Sequence, residues 1–344
     1  MFASAKRGFV IAMTILMGLG MLTACGNAQE TPNTTNETEP TMNIMQKSDP
    51  TQDDELNVLM IGNSFCYYYV EELYGMLTAA GYQKVNICNV YYSGCSLDQH
   101  WSWWKNGESH YTYYTTNETG RNEQKDVNLE HCLQQRNWDI ISLQEAGARA
   151  RYSGEGHLTV TEPYLTDLWG YIKEQFPLSR YFWHQTWSNQ VGYDRNGKTV
   201  DSLEQQEKEN TNTRAFALAV CKKYDLEHIP SGDAWQIVRQ NGYDNLCARL
   251  AVSNGEGDYY HDGDIGGAQY LNACVWFEII TGKSCIGNAY TPAYKDAVIL
   301  SDALQSTLKI DVNGTNFALK QELIDTLQKA AHEAVAQLGL QIEE

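Results

Sequence analysis

Five short apolar runs separated by helix-patterned stretches constrain this chain more than any other feature. Leu56–Ile61, Val85–Val90, Trp138–Gln144, Tyr181–Gln185 and Leu226–Ile229 read as strands. Apolar residues return at helical spacing through Val70, Leu73, Met76, Leu77 and Ala80, with Gly81 as a natural C-cap. The same spacing recurs over Tyr164–Ile172, Thr213–Lys223 and Gly266–Thr281, and in an amphipathic tail over Leu319–Leu338. Strands that alternate with helices imply a parallel sheet covered on both faces. The expected fold is α/β, a three-layer α/β/α sandwich around a mostly parallel, flavodoxin-like sheet of five strands. Residues 97–130, rich in Trp and Tyr, show little periodicity.

The N-terminus precedes this fold. Lys6 and Arg7 are followed by an apolar run, Phe9–Leu22, too short to span a bilayer comfortably. The run closes on Leu22-Thr23-Ala24-Cys25, which resembles a bacterial lipoprotein cleavage box. That resemblance implies cleavage before Cys25, lipidation of Cys25, and an extracytoplasmic protein tethered to a bacterial membrane. An ordinary signal peptide and a membrane anchor are the alternatives, and the short run disfavours the anchor. Residues 26–55, almost free of large apolar side chains, read as a flexible linker. The folded domain is then expected over 56–290, with a helical extension over 291–344 packed on it.

A net charge of −18 argues against nucleic acid as a partner, because phosphate binding needs basic patches. It equally disfavours docking of the folded body on anionic lipid, leaving the lipid on Cys25 as the membrane contact. Beyond Cys25, eight cysteines remain with no CxxC spacing, so a zinc site is not expected. Their even number permits disulfides in an exported protein, but several sit in apolar patterns that suit buried thiols. Asp258, Asp262 and Asp264 lack the spacing of a calcium loop. There is no G-x-S-x-G elbow, H-E-x-x-H, P-loop or dinucleotide fingerprint.

Chemistry concentrates at the ends of the strands. The first runs into Gly62-Asn63-Ser64, which places Ser64 at the carboxyl edge of a parallel sheet, where ligands bind. Ser64 is there either a helix cap or a nucleophile. A nucleophile needs a base, and the base an orienting group. Asp258-Tyr259-Tyr260-His261 supplies a candidate, since an Asp three residues before a His can fold back to accept its Nδ1–H.

On these residues the chain resembles the SGNH, or GDSL-like, hydrolase superfamily. Gly62-Asn63-Ser64-Phe65 is similar to its first block, with Asn63 where Asp is commoner. Ser93-Gly94-Cys95 is similar to its glycine block, and Asp258 with His261 to its final Asp-x-x-His block. The third block normally carries an Asn, where this chain has Gln144. A narrower bacterial group of SGNH-like domains, of unassigned function, is similar over residues 56–285. Its motifs match Ile61–Phe65, Gly94-Cys95-Ser96-Leu97 with His100 and Trp101, Trp138–Gln144, and Trp183-His184-Gln185-Thr186-Trp187.

The resemblance implies a serine esterase without a cofactor, with Ser64 as nucleophile, His261 as base and Asp258 orienting it. It also implies an oxyanion hole from the Ser64 and Gly94 amides, joined by Gln144 if its amide reaches; otherwise Gln144 caps its strand. His184, Trp187, His100 and Trp101 are candidate substrate contacts, with burial in the core as the competing reading for each. The expected substrate is a small ester or an acylated glycan, with an acetylated carbohydrate as the first choice. A non-catalytic glycan-binding lipoprotein using the same cleft is the rival. A lipase or thioesterase is a third possibility, though no strongly hydrophobic lid is evident.

Overall fold

The computed structural model describes residues 55–343 except 196–197, 251–256, 296–301 and 341. The leader, the linker to residue 54 and Cys25 lie outside the described residues. In the first half, β1 (Leu56–Gly62) and a 3-10 turn at Ser64–Cys66 lead to α1 (Val70–Ala79), then β2 (Val85–Tyr91) and α2 (Leu97–Asn106). A hairpin of β3 (Tyr111–Asn117) and β4 (Gly120–Val127) precedes α3 (Leu129–Leu133), β5 (Ile140–Leu143) and α4 (Gly147–Ser153). Next come α5 (His157–Val160), α6 (Tyr164–Gln175), β6 (Arg180–His184) and a small hairpin of β7 (Asp194–Arg195) and β8 (Lys198–Thr199). The second half continues with α7 (Leu203–Tyr224), β9 (Glu227–Ile229), α8 (Ser231–Gln240) and α9 (Ala268–Thr281). It ends with β10 (Ala293–Tyr294), α10 (Asp302–Leu308), β11 (Ile310–Asn313), β12 (Asn316–Leu319) and α11 (Gln321–Ala336).

The main sheet runs β4-β3-β2-β1-β5-β6-β9, so it has seven strands rather than five. Its five parallel members are the five expected from the apolar runs. The added pair, β3 and β4, joins antiparallel at the edge beside β2. Of the eight residues of β4 only Val127 is buried, so this edge ribbon carries no apolar alternation for a sequence reading to find.

Side chains of the central strands alternate between two cores, as the two-residue period of a strand requires. Val58 and Met60 pack with α1, α8, α9 and α11, whereas Leu59 and Ile61 pack with α2, α3, α6 and α7. All seven residues of β1 are therefore buried, which explains its unbroken apolar run. The tail forms more than a helix: β10, β12 and β11 make a separate antiparallel sheet, and α11 packs against α8 and α9. The eight cysteines among the described residues are free thiols, seven of them buried. No helix of the described residues is long and apolar enough to cross a membrane.

Candidate active site

β1 and β2 end side by side, with Gly62 opposite Tyr91. Beyond β1 the chain tightens into the 3-10 turn, and its cap is Asn63, whose Oδ1 accepts from the Phe65 amide at 3.1 Å. The cap role is thereby filled by Asn63 and not by Ser64. The Ser64 hydroxyl instead lies 2.9 Å from His261 Nε2, across 197 residues of sequence. Ser64 is 7% exposed, at the rim of the sheet.

His261 belongs to the Asp258–His261 turn that precedes α9. Asp258 Oδ1 accepts from the His261 amide at 2.9 Å, and Oδ2 accepts from the imidazole Nδ1. That contact fixes the tautomer, so Nε2 faces the Ser64 hydroxyl as an acceptor. Burial works to raise the Asp258 carboxyl, but its hydrogen bonds from His261 and the Arg249 charge outweigh burial and hold it below its ordinary value. Arg249 Nη1 lies 3.9 Å from Asp258 Oδ2. Inside this turn Tyr259 takes φ +67, a left-handed conformation that costs a bulky residue roughly 1–3 kcal/mol. Contacts from the loop after β6 hold it there: the Gln190 amide donates to the Tyr259 carbonyl at 2.7 Å and the Trp187 indole to the Tyr260 carbonyl at 2.8 Å.

Gly94 sits in a tight turn closed by the Cys95 amide on the Tyr92 carbonyl at 3.1 Å. Its φ of +67 suits glycine at this position. Gln144, at the end of β5, is 1% exposed and lies across the end of β1. A Cβ at Gly62 would meet Gln144 Cγ at 2.6 Å, so only glycine admits this path. Gln144 Nε2 donates to Asn63 Oδ1 at 2.7 Å. Gln144 is therefore tied to the Ser64 turn, and one N–H of its amide remains beyond that bond.

The four candidate substrate contacts take the competing reading, three of them buried and Trp101 packed on α6. Trp187 is fully buried and stacks on Trp235 with centroids 4.5 Å apart, so it has no face to offer a sugar. His184 is 1% exposed, with Nδ1 3.1 Å from Gln144 Oε1 and Nε2 3.0 Å from Ser231 Oγ. His100 is buried against Tyr111, whose hydroxyl meets its Nδ1 at 2.8 Å. Trp101 turns to α6, where its indole donates to Asp167 at 2.8 Å and its ring packs on Tyr164. His184, Trp187 and Trp101 spend their hydrogen bonds inside the fold, and His100 is closed off from solvent, its Nε2 without a hydrogen-bond partner among the described residues.

The residues that flank Ser64, His261 and Asp258 carried no sequence signal of their own. Tyr68 and Tyr260 lie with ring centroids 5.5 and 4.1 Å from that of His261, and Arg249 covers Tyr68. Buried Arg151 donates through Nε and Nη2 to the Trp187 carbonyl, bracing the loop that holds the Asp258–His261 turn.

No curated protein matches this chain significantly. Among solved structures it is similar to a DUF4886 family protein from Bacteroides uniformis, at 24% identity and a TM-score of 0.63, covering 82% of this chain and 95% of that one. That likeness is of the fold. Weaker similarity extends to a lipase/acylhydrolase from Enterococcus faecalis, at 11% identity and a TM-score of 0.41 over 66% of this chain and 96% of that one. Residues 57–303 match the family described as a domain of unknown function, DUF4886, and this chain belongs to that family.

Proposed function

We propose that this protein is an SGNH-type serine esterase. The observation that carries the reading is the Ser64–His261–Asp258 hydrogen-bonded sequence, assembled from two ends of the domain at the carboxyl edge of the sheet. In this reading Ser64 Oγ attacks the ester carbonyl while His261 Nε2 takes its proton. Asp258 holds the imidazole and stabilises its charged form. The oxyanion is received by the Ser64 and Gly94 amides and the second N–H of Gln144. His261 then returns the proton to the leaving alcohol, and water, deprotonated by the same imidazole, releases the acid from acyl-Ser64. These residues carry every proton transfer, and the reading calls for no cofactor.

A hydrophilic ester suits the surroundings better than a long acyl chain. A cavity of about 490 Å³ beside the end of β5 is lined by Leu97, Asp98, Glu145, Arg149, Tyr152, His157, Val160 and Tyr164 among others, without Ser64, Asp258 or His261. Its charged and hydroxyl-bearing groups suit the polyol part of an ester held next to the site, and the proposed substrate is an acetylated carbohydrate. The leader and Cys25 support display on a bacterial membrane, as a lipoprotein whose folded body faces away from the cytoplasm.

The test is hydrolysis of p-nitrophenyl acetate and of acetylated xylan by the purified protein beside Ser64→Ala. The expected loss in the variant is roughly a thousandfold or more in kcat. Equal turnover by both proteins contradicts the esterase. Turnover of the aryl ester alone contradicts the carbohydrate assignment.

A further inference from the structure

Groups at or just beyond the carboxyl ends of five adjacent strands, β2-β1-β5-β6-β9, form one continuous belt in which four hydrogen bonds join five groups, one group per strand. The Cys95 carbonyl, after β2, accepts from Asn63 Nδ2 at 2.8 Å. Asn63 Oδ1, after β1, accepts from Gln144 Nε2 at 2.7 Å. Gln144 Oε1, after β5, meets His184 Nδ1 at 3.1 Å, and His184 Nε2, at the end of β6, meets Ser231 Oγ at 3.0 Å just after β9. Asn63, Gln144, His184 and Ser231 are all buried.

One backbone amide sets the direction of the whole belt. The Phe65 N–H can only donate, so the Asn63 atom facing it is the oxygen, and the Asn63 nitrogen faces the Cys95 carbonyl. An oxygen facing Asn63 Oδ1 would be repelled, so Gln144 turns its nitrogen there and its oxygen toward His184. His184 must then carry its proton on Nδ1, which leaves Nε2 to accept from the Ser231 hydroxyl. Burial disfavours the charged imidazole and pushes His184 down to about 3, in keeping with a neutral ring.

We propose that His184 is a positioning residue: its Nδ1–H locks the Gln144 amide toward Asn63, and Asn63 holds both the Ser64 turn and the Gly94 loop. The proposal rests on the esterase reading of the same site. In that reading the belt sets the spacing of the three oxyanion donors, each attached to a different strand end. Donors aimed at developing charge act on the transition state and leave substrate affinity unchanged, so a slackened belt lowers kcat at constant KM.

The test compares His184→Asn, His184→Gln and His184→Leu in the full chain. An Asn amide presents its N–H where Nδ1 was, whereas a Gln amide presents it where Nε2 was. On p-nitrophenyl acetate we expect His184→Asn to keep kcat within about threefold, and His184→Gln and His184→Leu to lose roughly tenfold or more at unchanged KM. Equal losses in the two amide variants, or a change confined to KM, overturn the proposal. Nitrogen-15 spectra of the His184 ring give a readout that needs no activity. A Nδ1-protonated, non-titrating ring between pH 5 and 8 is expected, and a Nε2-protonated or titrating ring overturns the belt. If the wild type lacks Ser64-dependent turnover, the esterase reading fails and the positioning role with it. The ring spectrum then separates that failure from a wrongly directed belt.

Discussion

The Trp187 indole nitrogen donates to the Tyr260 carbonyl at 2.8 Å, and so a core tryptophan grips the turn that carries His261. This bond couples the loop after β6 to the geometry of the candidate base. Trp187→Phe keeps an aromatic ring on Trp235 and removes the donor. A single hydrogen bond contributes about 0.5–1.5 kcal/mol, and the lost stacking area adds to that. The expected outcome is a melting point lower by several degrees and kcat reduced several-fold at similar KM, read by thermal unfolding and steady-state kinetics.

Gly62 marks the crossing of Gln144 over β1. Gly62→Ala places a methyl carbon 2.6 Å from Gln144 Cγ and 2.8 Å from Cδ, closer than any real contact. The flexible Gln144 side chain moves first, so the belt breaks while the strand survives. The expected result is a cooperative, slightly less stable fold with kcat lowered roughly tenfold or more. Circular dichroism melts run beside the ester assay check both halves.

Asp262 is fully buried beside the candidate base, and burial pushes its carboxyl up to about 7 from an ordinary 3.8. Below the ordinary value both folded and unfolded chains hold this proton. As pH rises from there to about 7 the unfolded chain releases it and the folded chain does not, so stability falls through that window. Asp262→Asn removes this part of the decline, whereas Glu72, pushed up to about 8 by burial, keeps its own part in the variant. Urea unfolding of both proteins at several pH values measures it. Asp258 acts in the opposite sense: its lowered carboxyl stabilises the fold above the ordinary value and loses that effect as pH falls through its folded value.

The thiols should resist chemistry while the chain is folded. Burial raises Cys66, Cys132 and Cys221 to about 12, and Cys221 alone of the eight is partly exposed. Thiolate is the reactive form, so iodoacetamide at pH 7.5 should leave these eight thiols nearly unmodified in the native protein and label all eight after unfolding, with the ninth cysteine, Cys25, counted apart. Peptide mapping before and after denaturant gives the count for the eight.

What the sequence disclosed follows physical range. The parallel strands were legible because burial on both faces makes each an apolar run, as in Val58-Leu59-Met60-Ile61. The Asp258–His261 turn was legible because its carboxylate and imidazole are local partners. The β3–β4 ribbon was not, since an exposed edge needs no apolar pattern. The helix α8 was also missed: all but the last of its residues are buried, including Asp233, Gln236 and Arg239, so polar letters concealed a core element. Trp187 and His184 stood out as letters, but their work is done through partners more than forty residues away in sequence, Tyr260 and Ser231, which spacing cannot reveal.

The central claim is that Ser64 is a nucleophile activated by His261. Incubation with an alkyl fluorophosphonate, followed by intact-mass and peptide mapping, tests it most directly. The account predicts one adduct per chain on Ser64, absent in Ser64→Ala and formed much more slowly in His261→Ala. No adduct, or one on another residue, contradicts it.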